Sequence, residues 1–358
     1  METSSSGLEG IQVCETVLSD VDGDAGALTL RGYRLEELAG SANFEAVIGL
    51  MWDGALLPVE MGKTRLEAFD RLDRLGDALS QRDGMDALRA AIGHVPADGA
   101  DREAMVRVTG AMPVFAAAWA RSRRGLPPIA PDPALSHAAD YLRMVSGNPA
   151  PQSQGDALDA YLCTVVDHGL NASTFTCRVI TSTGSDLVSA VVGAIGALKG
   201  PLHGGAPGPA LETVFEIGDA SRAEATLRRK IEQGERLMGF GHRVYRVRDP
   251  RADVLAAAAE RLYTRAGDMR LYRLARDVEA TALRLLEEYK PGRRLQTNVE
   301  FYTALVLHGL GLDVPLFTPT FAISRVSGWI AHALEQRAAN RLIRPRSEYI
   351  GPRDRRWR

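Results

Sequence analysis

Apolar residues recur every three and four positions along most of the chain, the period of a helix that buries one face. The pattern is sustained in "RLEELAGSANFEAVIGLMW" (34–52), "MVRVTGAMPVFAAAWARSRR" (105–124), "PALSHAADYLRMVSG" (133–147), "LDAYLCTVVDHGL" (158–170), "ADVLAAAAERLYTRAG" (252–267) and "RLARDVEATALRLLEEYK" (273–290). Strand-like alternation is confined to "LSDVDGDAGALTLRGY" (18–33), where a DG pair followed by "ALTLRGY" predicts a small N-terminal β-hairpin. The pattern therefore predicts a mainly α protein. No 20- to 50-residue repeat is visible, which argues against a helical solenoid. The most apolar run, "LVSAVVGAIGAL" (187–198), is too short for a bilayer and reads as a buried helix.

The breaks between these runs are of two kinds. "GNPAPQSQGD" (147–156) carries only turn-forming and polar residues and is expected to be a flexible linker. "GPLHGGAPGP" (200–209), "GFGHRVYRVRDPR" (239–251) and "PGRRLQTNVEF" (291–301) are also marked by Gly or Pro, yet each carries groups capable of chemistry.

Bulk properties narrow the field. A chain of 358 residues exceeds one ordinary core, so two domains, or one large and one inserted, are expected. A net charge of −2 offers no general attraction to nucleic acid or anionic membranes, so an anionic ligand must be held by locally placed arginines. Cys14, Cys163 and Cys177 are far apart and form no CxxC pair, which fits a reducing cytoplasm better than a disulfide framework or a zinc site. "METSSSGLEG" has neither the basic start nor the apolar core of a signal peptide.

Candidate chemistry rests on His168 in "VVDHGLNAST", His203 in "GPLHGGA", His242 in "GFGHRVYR" and Glu300 in "TNVEF", with Arg246, Arg251, Arg325 and Arg344 following. A single histidine is more often a core or surface residue than a catalyst. Metal binding is disfavoured because no HxxxH, HExxH or paired cysteines place ligands on one helix face. A serine hydrolase lacks its GxSxG elbow. Acting together, the groups suit another chemistry. His203 precedes a helix expected to begin near Pro209, whose N-terminus disfavours imidazolium, and a neutral ring can donate one N–H to a developing enolate. Glu300 can take the α-proton, His242 can polarise a second carbonyl, and arginines can clamp carboxylates with paired hydrogen bonds. The set describes carbon–carbon bond formation between an enolised donor and a keto-diacid.

These motifs, together with "NVEFYTALVLHGLG", "FTPTFAISRVSGWIAHALEQ" and "RPRSEYIGP", resemble the citrate synthase family in order and spacing, from about Gly7 to Gly351. The short length resembles the bacterial type that includes citrate and 2-methylcitrate synthases. The resemblance implies a citrate synthase-like two-domain helical fold, with residues 1–205 and 310–358 in a large domain and 206–309 in a small domain that closes over bound oxaloacetate. It implies that His203 stabilises the acetyl-CoA enolate and His242 activates the oxaloacetate carbonyl. His168, Arg251 and Arg325 are implied ligands of oxaloacetate, with Arg344 given across a homodimer to the other subunit's site. Arg246, with Arg248 as a helper, is implied to meet the CoA phosphates. No metal or permanently bound cofactor is implied; acetyl-CoA is a co-substrate. The family usually has aspartate, in NVD, where this chain has Glu300. A pocket adapted to glutamate is the favoured explanation, with a different acyl-CoA or a weakened CoA- or oxaloacetate-binding paralogue as alternatives. The terminal "RDRRWR" is expected to be a solvated tail.

Overall fold

The computed structural model describes residues 7–357, except 9, 100, 205, 206 and 243. Most of the N-terminal stretch read above, and the expected domain boundary at 205/206, fall outside the described residues. The chain opens on an antiparallel sheet of β1 (Ser19–Asp22), β2 (Ala27–Leu30) and β3 (Tyr33–Arg34), in the order β1-β2-β3. β1 and β2 are the expected hairpin, closed by Asp22 Oδ1, which accepts from the amides of Asp24 and Ala25. The short β3 adds a third strand.

The regular elements that follow the sheet are helices. In order come α1 (Leu35–Leu38), α2 (Phe44–Asp53), α3 (Gly62–Phe69), α4 (Gly84–Ile92), α5 (Asp101–Arg123), α6 (His137–Ser146) and α7 (Gln152–Val165). They are followed by α8 (Ala172–Thr181), α9 (Leu187–Leu198), α10 (Pro207–Ile217), α11 (Ala223–Glu232) and α12 (Pro250–Ala266). The chain ends with α13 (Arg270–Tyr289), α14 (Val299–Gly309) and α15 (Phe317–Ala339). Among the described residues no single helix is long and apolar enough to cross a membrane.

The apolar pattern and the helices agree with three differences. The run 34–52 is two helices, because the Asn43 side chain caps a new start by accepting from the Ala46 amide. The expected linker 147–156 is half helix: α7 begins at Gln152, directly after Pro151. Gln152 Nε2 donates to Asp156 Oδ1 one turn on, and the buried Ala157 and Leu158 continue the apolar face, so polar composition alone misread it. The third helix start also moves, since α10 begins at Pro207 rather than near Pro209.

α15 is the axis of the structure. It packs against α2, α4, α5, α7, α8 and α9, and Ile323, Val326, Trp329, Ile330 and Ala333 are fully buried. Its close fit to the end of α7 depends on Gly328, where a Cβ would lie 2.3 Å from the Val166 carbonyl oxygen and 3.1 Å from Asp167 Oδ1. A second close approach joins the N-terminal sheet to the segment after His242. Gly23 O accepts from the Arg246 amide at 3.0 Å, and a Cβ on Gly23 would collide with the Val244 carbonyl. Overpacking of this kind costs about 1–3 kcal/mol. Gly328→Ala is therefore expected to lower stability by about that amount. Urea denaturation checks it; an unchanged midpoint would mean that α15 and the 166–168 turn are not in tight contact.

Candidate active site

Each candidate side chain stands at the end of an element. His168 follows α7, His203 lies between α9 and α10, and His242 lies in the glycine-flanked loop before α12. Arg251 is the second residue of α12 and Glu300 the second of α14, while Arg325 lies within α15. Asn298 joins two of these pieces. Its Oδ1 accepts from the Glu300 amide and caps α14, and its Nδ2 donates to the Gly241 carbonyl at 2.8 Å, next to His242.

His242 has a defined tautomer. The amides of Val244 and Tyr245 both donate to its Nδ1, at 3.0 and 3.1 Å, so the ring proton resides on Nε2. That Nε2 lies 3.3 Å from Arg251 Nη2. Two donors therefore stand side by side, an arrangement satisfied by an acceptor placed between them. Burial, then Arg251, pushes the His242 pKa down to about 4, so the ring is neutral at neutral pH. Asp249 fixes Arg251 from behind, accepting from Nε at 3.0 Å and from Nη2 at 2.8 Å.

His168 meets His242 edge to face with ring centroids 5.4 Å apart, and its Nε2 lies 3.2 Å from the Tyr245 hydroxyl. Burial pushes its pKa well below the usual histidine value, with Arg251, His242 and Arg325 adding to the effect. Arg325 is 1 % exposed; its Nε donates to the Val165 carbonyl, and no carboxylate pairs with it among the described residues. Burial, with Arg251 nearby, pushes even this guanidinium down to about 10.

His203 is oriented from behind. Its Nε2 lies 2.8 Å from Ser173 Oγ, which accepts from Trp329 Nε1 at 3.1 Å. The Ser173 amide is also aimed at Nε2, at 3.4 Å, which makes Nε2 the acceptor and leaves Nδ1–H as the remaining donor. The ring is neutral as expected, with a pKa pushed down to about 4, but for a different reason. Burial and then Arg325 are responsible, and the start of α10 is four residues away. Glu300 moves oppositely: burial raises its pKa to about 7, against the pull of Arg251 and of Arg236. Arg236, Asn298, Ser173, Trp329 and Tyr245 were not found from sequence. Only Asn298 carried a signal, a capping residue just before an apolar run.

The structure thus links His168, His203, His242 and Glu300 through Arg251 and Arg325, His203 by way of Arg325 and Glu300 by way of Arg251. It does not bring the other arginines there. Arg246 is exposed beside Asp24 at 3.7 Å, and Arg248 is engaged by Asp253 and by Glu279, at 2.5 and 2.7 Å. Arg344 is exposed beyond α15 and makes no hydrogen bond or ion pair among the described residues. Among the described residues no group of three His, Cys, Asp or Glu side chains could hold a metal ion.

Residues 7–346 match the family model described as "Citrate synthase, C-terminal domain". The chain belongs to the citrate synthase family. It is 41 % identical to a citrate synthase of Haloferax volcanii, covering 97 % of this chain and 96 % of that protein. It is 38 % identical to a 2-methylcitrate synthase of Mycobacterium tuberculosis, over 96 % and 90 % respectively. The structure of citrate synthase from Thermoplasma acidophilum, a ternary complex with oxaloacetate and carboxymethyl coenzyme A, superposes with a TM-score of 0.89 at 31 % identity, over 100 % of this chain and 98 % of that one. Citrate synthase from Pyrobaculum aerophilum gives 0.87 at 34 %, over 98 % and 93 %.

Because Glu300 has a higher pKa in the fold than the ordinary 4.5, the stability it contributes is full below about pH 4.5 and is lost as pH rises through about 7. Glu300→Gln removes that dependence. Urea unfolding of the ligand-free protein should show the parent losing stability relative to the variant between about pH 5 and pH 8. Parallel curves would place this carboxylate in water.

Proposed function

We propose that this member of the family condenses acetyl-CoA with oxaloacetate, with the six converging side chains as its machinery. The observation that carries the reading is the donor pair: His242 Nε2–H and the Arg251 guanidinium, 3.3 Å apart, flanked by the unpaired Arg325. A keto-diacid supplies what they lack, a carbonyl oxygen for the paired donors and carboxylates for the guanidiniums of Arg251 and Arg325. His168 and, from a second copy, Arg344 complete its binding.

Glu300 removes a methyl proton from acetyl-CoA while His203 Nδ1–H stabilises the enolate oxygen. The enolate carbon bonds to the oxaloacetate carbonyl carbon, whose oxygen takes the Nε2 proton of His242 as it becomes the hydroxyl of citryl-CoA. Glu300 gives up its proton to solvent and solvent reprotonates His242, so no net proton is used. Water then cleaves the thioester, releasing citrate and the CoA thiol. Neutral histidines fit this role, since each is fixed through one accepting nitrogen and keeps a single N–H for the substrate oxygen. Arg246, exposed beside Asp24, is the cation offered to the CoA phosphates; Arg248, already held by two carboxylates, has only a supporting part there.

The same reading includes a small unit, 206–309, closing over oxaloacetate, and a homodimer in the cytoplasm. The half-buried stripe of Phe175, Val179, Val192 and Gly196 on α8 and α9 is an apolar surface suited to a second copy. The relationship to a 2-methylcitrate synthase at 38 % identity favours one further reading, propionyl-CoA as the acyl donor. One methylene in an apolar pocket is worth about 1–3 kcal/mol, so both donors can be used.

Thiol release with oxaloacetate and a panel of short acyl-CoAs tests the proposal. Acetyl-CoA is expected to give the highest kcat/KM, and a reversal toward propionyl-CoA would favour the second reading. At saturating oxaloacetate, kcat/KM for the acyl-CoA should rise about tenfold per pH unit and level off only above the value of about 7 that Glu300 has in the ligand-free protein, as the base loses its proton. His203→Ala should lower kcat by about 100- to 1,000-fold with little change in oxaloacetate affinity; near-normal turnover would remove its role. Glu300→Asp retracts the carboxylate by about 1 Å and should cost about 100-fold, whereas a faster aspartate variant would show that the site is not fitted to glutamate.

A further inference from the structure

A second set of buried polar groups lies behind the site and takes no part in the chemistry above. Arg178, on α8, is 1 % exposed. Its Nη1 donates to His332 Nδ1 at 3.0 Å and to Glu335 Oε2 at 2.6 Å, and its Nε donates to Gln336 Oε1 at 3.0 Å. A guanidinium has no acceptor, so His332 Nδ1 is unprotonated and the proton sits on Nε2. That nitrogen faces Asp167 Oδ2 at 3.3 Å, in contact between two fully buried residues. Asp167 also accepts from the Ser19 hydroxyl, and Ser19 Oγ in turn accepts from the Gly169 amide at 3.0 Å. Residues 167 and 169 are therefore tied on both sides of His168.

The other branch runs outward. Gln336 Nε2 donates to the Arg341 carbonyl at 2.8 Å, and the Ile343 amide donates to Ser182 Oγ at 3.1 Å. These two bonds pin the chain immediately before Arg344. Simple packing does not call for such a core, because buried ions are commonly replaced by apolar side chains with no loss of stability. Their arrangement has another consequence: through Ser19 the set reaches the Gly169 amide, next to His168, and through Gln336 it reaches the Arg341 carbonyl, three residues before Arg344, while Glu335 leads instead to the Val17 amide.

We infer that Arg178, His332 and Asp167 are positioning residues, a buried relay that sets the turn carrying His168 and, through Gln336, the departure of the segment carrying Arg344. The inference rests on the oxaloacetate reading given under Proposed function. Ser19 belongs to the same relay at its outer end.

His332→Leu, His332→Gln and Ser19→Ala test it, with thiol release, calorimetric oxaloacetate binding and thermal melting measured on each full-length protein. Glutamine can accept from Arg178 and donate to Asp167; leucine can do neither. His332→Leu is expected to raise the oxaloacetate KM at least tenfold, while the acyl-CoA KM at saturating oxaloacetate stays within twofold. His332→Gln should bring the oxaloacetate KM back to within about threefold of the parent. Ser19→Ala, a mild change that keeps the test open should the leucine variant not fold, should raise it about threefold to tenfold. A folded leucine or alanine variant with the parent's oxaloacetate KM overturns the inference, as does a drop in activity that merely follows loss of folded protein. A parent that neither binds oxaloacetate nor releases thiol overturns the function instead. The relay is then read from amide hydrogen exchange at residues 167–169, which it requires to be slower in the parent and His332→Gln than in Ser19→Ala.

Discussion

Arg325 enters the core on α15 with 1 % of its surface exposed, and among the described residues no carboxylate pairs with it. Taking an ion out of water costs several kcal/mol, which one hydrogen bond to the Val165 carbonyl and the attraction of Asp167 offset only in part. Arg251 adds a second guanidinium nearby, although Asp249 balances that one. Burial is the larger cause of the neighbouring histidines' lowered pKa values, and the positive charge adds to it. Arg325 helps to keep His168 and His203 uncharged, and Arg251 does the same for His242. A fold that keeps such a charge forgoes stability for an anion it has yet to receive.

The geometry that makes this possible is a single stripe on α15. Arg325, Trp329, His332 and Gln336 follow one another at intervals of four, three and four, so they share a face. Trp329 reaches His203 through Ser173, His332 reaches the turn of His168 through Asp167, and Gln336 reaches the C-terminal segment. One rigid helix, packed on six others, thus sets groups that lie more than a hundred residues apart in sequence. Rigid elements hold such constellations more accurately than loops do.

Much of this was legible from the residues. The three- and four-residue apolar period located the helices, because burial of one face is what selects them. The Gly-marked segments with histidines located the site, because a catalytic loop and a linker differ in the chemistry they carry. What composition could not supply was tertiary. Whether "APQSQGD" coils or winds into α7 is decided by the apolar residues beyond it. The neutrality of His203 comes from its burial and then from Arg325, 122 positions away, rather than from the adjoining helix. Arg248 looks like a free cation in "RVYRVRDPR" until Glu279, on α13, closes on it. His332 stood at helical spacing from Arg325, a sign visible in the sequence, but a lone histidine in an apolar helix gives no hint of Asp167 behind it.

Glu300 links the charge balance to the order of events. In the ligand-free protein burial raises its pKa, while Arg251 and Arg236 hold it back. A dianion seated on Arg251 and Arg325 neutralises the nearer part of that restraint, leaving burial less opposed. The carboxylate then has a higher proton affinity than before, which makes it a stronger base for a weakly acidic methyl group. The cost is a larger protonated fraction at neutral pH, so the gain is useful only where Arg236, at the exposed edge, still favours the ionised form. On the proposed reading, base strength in this site is accordingly not a fixed property of residue 300; it depends on whether oxaloacetate is bound.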